Sequence, residues 1–352
     1  MRRLVLLLPV LALIIAITPV SLAGNAVVGT GSAGSCTQSA LQGAVTTVNN
    51  GGGTITFNCG GSPHTIVLTQ QLRFDTQGAS YTLDGANLIT LDGNLTTRLI
   101  YTASGLNLSL TVKDIRLVHG RATSDAPGER AANQGGAIYS GYNNSLTVQH
   151  VHFENNRAQA ERHPYHGGGA IAIDTTSVVT ITDSTFIDNR APNGGAINNL
   201  LSRLTIERSL FSDNRATRDD PGGGGAIYND AGKVTIKDTH ILNNVSANLG
   251  GGIFSWAHNV NGSYSGKTLI KNSVLDGNSA EHGGGLWKGG YYVLELRNSS
   301  VTNNTATNGG AGISGTGRAR ISRSSTARSP ITQPFRMAQQ EASSAAVPHR
   351  QS

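Results

Sequence analysis

The chain has 352 residues, 14% of them charged and 5% aromatic, with 45 glycines. This composition excludes a charge-rich disordered protein, a coiled coil and a multi-span membrane protein, and glycine this frequent without a Gly-X-Y period points to a turn-rich all-β chain. The net charge of +6 sits at the ends. Arg2, Arg3 and six arginines at 318, 320, 323, 328, 336 and 350 account for 8 of the 27 basic residues, and Glu341 for one of the 21 acidic ones, so 19 basic face 20 acidic residues between them. No basic body suited to nucleic acid is present.

Residues 1–23 read as an export signal. Arg2 and Arg3 precede the apolar run Leu4 to Ile17, too short to span a membrane comfortably, and Ser21-Leu22-Ala23 places small residues before a cleavage point. The expectation is a secreted or cell-surface protein that meets the membrane only during export. Cys36 and Cys59, the only two cysteines, are expected to pair in that oxidising setting. With no further thiol, neither a cysteine metal site nor a cysteine nucleophile is expected, and no metal or cofactor motif stands out.

Residues 24–120 carry short alternating segments such as Thr54-Ile55-Thr56-Phe57 and read as the N-terminal cap and first coils. From 121 to 317 the chain repeats itself. Gly-Gly-Ala-Ile stands at 135–138, 168–171, 194–197 and 224–227, then drifts to Gly250 to Ile253, Gly283 to Leu286 and Gly310 to Ile313. The spacings of the last residue, 33, 26, 30, 26, 33 and 27, signal a solenoid. Between these come strand signals, among them Val179-Thr180-Ile181 and Leu204-Thr205-Ile206. Each is followed by an apolar residue three before an asparagine: Phe153 and Asn156, Phe186 and Asn189, Phe211 and Asn214, Ile241 and Asn244, Leu275 and Asn278, Val301 and Asn304. Three short strands per period leave no room for a helix of useful length. Parallel stacking at about 4.8 Å would put equivalent residues in ladders, over about ten coils, with the asparagine in a left-handed turn and its stacked side chains satisfying side-chain and backbone amides between coils.

The paired Gly-Gly-Ala-Ile and Phe-x-x-Asn motifs resemble the repeats of polymorphic outer membrane proteins and related secreted β-helix proteins, over about residues 135 to 313. The resemblance implies an all-β, single-stranded right-handed parallel β-helix of the pectin lyase-like type. It implies little about activity, because this fold hosts lyases, hydrolases, adhesins and passive surface proteins. Residues 318–352 lose every device of the coils and read as a basic tail, disordered or shifted in reading frame.

Catalytic signatures are incomplete. Arg190-Ala191-Pro192 begins like an element of pectate lyases but lacks its second arginine, and Asp219-Asp220 resembles the acidic pair of polygalacturonases without its companion elements. A polar column after the first strand runs Asp114, His150, Asp183, Arg208, Asp238, Asn272, Asn298. Asp183 and Asp238 flank Arg208 and could act as an acid/base pair across two coils, although a turn-stabilising ion ladder suits the pattern better. Two binding faces suggest themselves. One is the rim of long connections with Arg162, His163, Tyr165, Asp219 and Asp220. The other is an outward aromatic column, Tyr228, Phe254 and Trp287, with Trp256, Tyr291 and Tyr292 close by, suited to stacking on sugar rings. The functional expectation is a non-catalytic, adhesin-like or glycan-binding scaffold whose partner is an extracellular polysaccharide or cell-surface glycan. The alternative is a polysaccharide lyase or glycoside hydrolase.

Overall fold

The structure is a computed structural model and describes residues 24–122, 133–159, 165–219, 222–257, 266–290, 292–316 and 320–322. Its strands are parallel throughout and form three sheets of 17, 9 and 7 strands that run the length of a solenoid. One turn shows the plan. Val178–Thr182 and Thr185–Ile187 lie in the long sheet, Arg190–Ala191 in the seven-stranded sheet and Ile197–Leu200 in the nine-stranded sheet. About nine turns stack this way, one fewer than the period suggested.

The register follows the repeats. Ile138, Ile171, Ile197, Ile227, Ile253, Leu286 and Ile313 are successive partners, and so are Phe153, Phe186, Phe211, Ile241, Leu275 and Val301. Both columns point inward and fill the core, with Phe153, Phe186 and Phe211 stacked face to face at 4.5 and 4.4 Å. The double glycine has two separate causes. Gly194 holds φ at +57°, and a Cβ there would lie 2.0 Å from the Ile197 carbonyl; Gly195 touches the next coil, where a Cβ would meet the Gly225 carbonyl at 2.1 Å.

The expected left-handed asparagine is displaced by one position. The positive φ belongs to the residue before it, at Asn155, Asp188, Asp213, Asn243, Gly277 and Asn303, while the repeated asparagine turns its side chain into the core. There it builds a closed amide ladder. Asn189 Nδ2 donates to Asn214 Oδ1 at 2.9 Å, Asn214 Nδ2 to Asn244 Oδ1 at 2.9 Å, and the series runs from Asn156 to Asn304. The second amide hydrogen reaches a carbonyl one coil back, as from Asn214 to Phe186 at 2.9 Å. Each Oδ1 also accepts the preceding coil's asparagine N–H, as from Asn189 N to Asn214 Oδ1 at 3.1 Å. The left-handed site is thus a short polar or glycine residue that turns the chain, and the amide is free to satisfy the interior.

Among the described residues the repeats hold no helix, as expected, but one of useful length lies ahead of them in the N-terminal region. α1 (Gln38–Val48) starts at the cap Thr37, whose side chain accepts from Ala40 N at 3.2 Å, and buries Leu41, Ala44, Val45 and Val48. These positions follow the i, i+3, i+4, i+7 spacing of one helical face, which lies against the first strands and closes the open end of the core. Cys36, just ahead of α1, pairs with Cys59 as expected, with Cα atoms 5.6 Å apart. Replacing both cysteines with serine is expected to destabilise these first turns by about 3 kcal/mol, from the closed loop's entropy in the unfolded chain. An unchanged urea transition followed by the signal of this end would contradict that.

At the other end the pattern continues past residue 317. Arg320–Ser322 pairs in register with Glu295, Leu296 and Arg297, so at least one further strand belongs to the coils. The rest of the basic segment, and residues 1–23, read from the sequence as an export signal, lie outside the described residues. Among the described residues, no helix is long and apolar enough to cross a membrane.

Candidate functional site

The polar column beside the long sheet is a set of left-handed turns. Asp114, His150, Asp183, Arg208, Asp238, Asn272 and Asn298 all have φ between +46° and +53°. Arg208 grips Asp183 with two hydrogen bonds, Nε to Oδ1 at 2.7 Å and Nη2 to Oδ2 at 2.8 Å, and Asn272 donates to Asp238 at 3.0 Å. The guanidinium beside Asp183 holds its carboxyl below the ordinary range. Asp183 is therefore a poor proton donor near neutral pH, and the column is a brace between coils. A shallow depression separates Asp183 and Arg208 from Asp238 and His240.

The aromatic column is assembled as expected, but it is not an open platform. Tyr228 and Phe254 stack at 4.7 Å, Phe254 and Trp287 at 5.0 Å, and Trp256 and Trp287 at 5.8 Å, all nearly parallel. Tyr228 and Phe254 are buried, Trp287 and Trp256 are partly exposed, and Phe254 and Trp256 both stack on Trp287 from the preceding coil. Tyr292 does not join them. It points inward, where its hydroxyl donates to the Gly232 carbonyl at 2.9 Å and accepts from Thr268 at 3.0 Å. Tyr291, Arg162, His163 and Asp220 lie outside the described residues.

The rim and the aromatic column turn out to meet. The Tyr165 carbonyl accepts from Asn198 Nδ2 at 2.6 Å, on the sheet position next to Tyr228. Burial pushes the Tyr228 phenol up, reinforced by Asp230 and Tyr165 and opposed by Arg218. Asp219 is exposed and contributes its carbonyl to Asn248 Nδ2 at 3.3 Å.

The most distinctive surface was not singled out from the sequence. Where the long sheet gives way to the seven-stranded sheet, a groove of about 360 Å³ is lined by His119, Glu154, Asn155, Arg157, Asp188, Asn189, Arg190, Asp213 and Arg215. Its two walls follow from the turn geometry. Asp188 and Asp213 occupy the left-handed position, Asn189 and Asn214 dive inward, and Arg190 and Arg215 open the next strand facing out over buried alanines. Arg121, Arg157, Arg190 and Arg215 are consecutive register partners, so four guanidinium groups rise along the axis at about the coil spacing. Arg157 bonds Asn155 at 3.3 and 3.4 Å, and the guanidinium groups of Arg190 and Arg215 have no ion pair among the described residues. On the facing wall, burial raises the Asp188 pKa, with Asp213 and then Glu154 adding to it. The two walls therefore do not neutralise each other. The signal that could have exposed this surface is Arg-Ala recurring two residues after four successive left-handed turns, at His119, Asn155, Asp188 and Asp213.

Beside the groove, His152 bridges Thr185 Oγ1 at 2.6 Å and Glu154 Oε2 at 3.0 Å, and Arg116 donates to Glu154 at 2.8 Å. This chain resembles a nucleophile relay. Neighbouring strand N–H groups are engaged in the parallel ladder, however, which leaves them poorly placed to stabilise an oxyanion, so it reads as a cross-coil brace.

Three parallel sheets, inward apolar ladders and an amide ladder define a parallel β-helix with a charged groove along one corner. The chain belongs to the right-handed β-helix family: the model described as right handed beta helix region matches residues 136–326, which is 191 of 352 residues. No curated protein matches it. Among solved structures, a mannuronic acid specific polysaccharide family 6 lyase enzyme from human gut microbiota shows 11% identity, covering 72% of this chain and 77% of that one, at a TM-score of 0.25, a likeness too loose to inform the site.

Proposed function

We propose that this protein is a secreted or cell-surface β-helix scaffold that binds a glycan without turning it over. The observation that carries the reading is the groove whose guanidinium and carboxylate walls run side by side along the axis without cancelling. Charged groups held open on rigid turns suit a polar ligand that offers acceptors to one wall and hydroxyl donors to the other. The export-like first residues, the Cys36–Cys59 disulfide and the resemblance of the repeats to polymorphic outer membrane proteins support the extracellular setting.

A lyase or hydrolase is the second reading, and one observation favours it. Asp188 holds its proton more tightly than an ordinary aspartate and lies one coil from Asp213, and neighbouring carboxyl groups are what acid/base chemistry on glycosides uses. The mature protein should be titrated with acidic and neutral polysaccharides while unsaturated products and new reducing ends are followed. Binding without either product is expected. Turnover that disappears in Asp188→Asn would replace the scaffold reading with the enzymatic one.

A further inference from the structure

We infer that the groove takes an acidic glycan, a polyuronate or similar chain, lying along the solenoid axis with its carboxylates on Arg157, Arg190 and Arg215. The inference rests on the glycan-binding reading above and names the class of ligand.

Arginines stacked in register repel one another, and each gains by meeting an external anion. Arg157, Arg190 and Arg215 are exposed, emerge from consecutive strands of one sheet and are anchored by inward Ala158, Ala191 and Ala216. Their planar forks suit bidentate contact with carboxylate or sulfate. The column ends abruptly, since the next partners in register are Val245, Ser279 and Thr305. The basic stretch therefore covers about four coils, a length matched by a few sugar residues.

The opposite wall selects among polyanions. Glu154, Asp188 and Asp213 would repel a ligand charged along both edges, but they accept hydrogen bonds from hydroxyls. A uronic acid chain offers both kinds of edge, acidic groups toward the arginines and ring hydroxyls toward the carboxylates. Duplex DNA, whose sugars lack the 2′-hydroxyl, has no comparable row of free hydroxyls to set against the acidic wall.

The test titrates the full chain and its variants with polygalacturonate, neutral dextran and duplex DNA at low and moderate salt. Polygalacturonate is expected to bind best, more weakly as salt rises. Arg190→Gln with Arg215→Gln should weaken it roughly tenfold or more. Asp188→Asn should tighten it, because asparagine tolerates the left-handed turn and removes a repelling charge. Lys233→Gln, an exposed cation on the long sheet, should leave it unchanged. Dextran binding that ignores the arginines would overturn this assignment and leave glycan binding standing, whereas no binding to either polysaccharide would remove both. Duplex DNA held as tightly as polygalacturonate, or acidic binding unaltered by the arginine variants, would overturn the assignment alone.

Discussion

Asn214→Ala is expected to destabilise the solenoid by about 3 kcal/mol or more, one of the largest losses available to a single polar residue here. Asn214 is fully buried, and its amide joins three coils. Its removal strips the acceptor from Asn189 N and Asn189 Nδ2 and the donor from the Phe186 carbonyl, all at a fully buried position. Asn214→Asp should be worse, since it keeps the acceptor but buries a charge where the ladder needs donors. Urea unfolding followed by far-ultraviolet circular dichroism checks both. A cost below about 1 kcal/mol for Asn214→Ala would mean that the ladder contributes little.

Phe186→Ala should cost about 3 to 5 kcal/mol, through lost burial and the cavity left between two stacked rings. Phe186 has no exposed surface and lies between Phe153 and Phe211 at the middle of the phenylalanine column. In a solenoid each coil is supported only by its neighbours, so a weakened middle coil should also loosen the coupling between the two halves. The expected signature is a broader transition or one that separates into two steps. A single sharp transition at the original midpoint would contradict the cavity argument.

The coils were legible in the sequence because a parallel solenoid makes every structural requirement recur. Ile171 and Ile197, or Phe186 and Phe211, are set by the same inward position on successive turns, so spacing alone gave their register. The same periodicity hid α1, whose apolar stripe Leu41, Ala44, Val45 and Val48 occurs once and follows a helical spacing. It also blurred the turns. Asp188 and Asn189 are both small polar residues, and only the backbone separates the one that turns the chain from the one that fills the core.

The binding surfaces were read less well, and the reason is physical. Alternation predicts that Tyr228 and Phe254 leave the core side of their sheet, but not that a self-stacked column and the Tyr165 segment cover them. In sequence, Arg190 stands out only by its resemblance to a lyase element. Its part in a four-coil arginine column depends on the lateral alignment with Arg121, Arg157 and Arg215, residues 25 to 36 positions apart in adjacent turns.

The most direct test of the account is a crystal structure of the intact protein grown with an oligogalacturonate. The account predicts an uncleaved chain along the corner groove, its carboxylates on Arg157, Arg190 and Arg215 and its hydroxyls toward Asp188 and Asp213. A sugar seated instead on Trp287, or found cleaved in the groove, would contradict it.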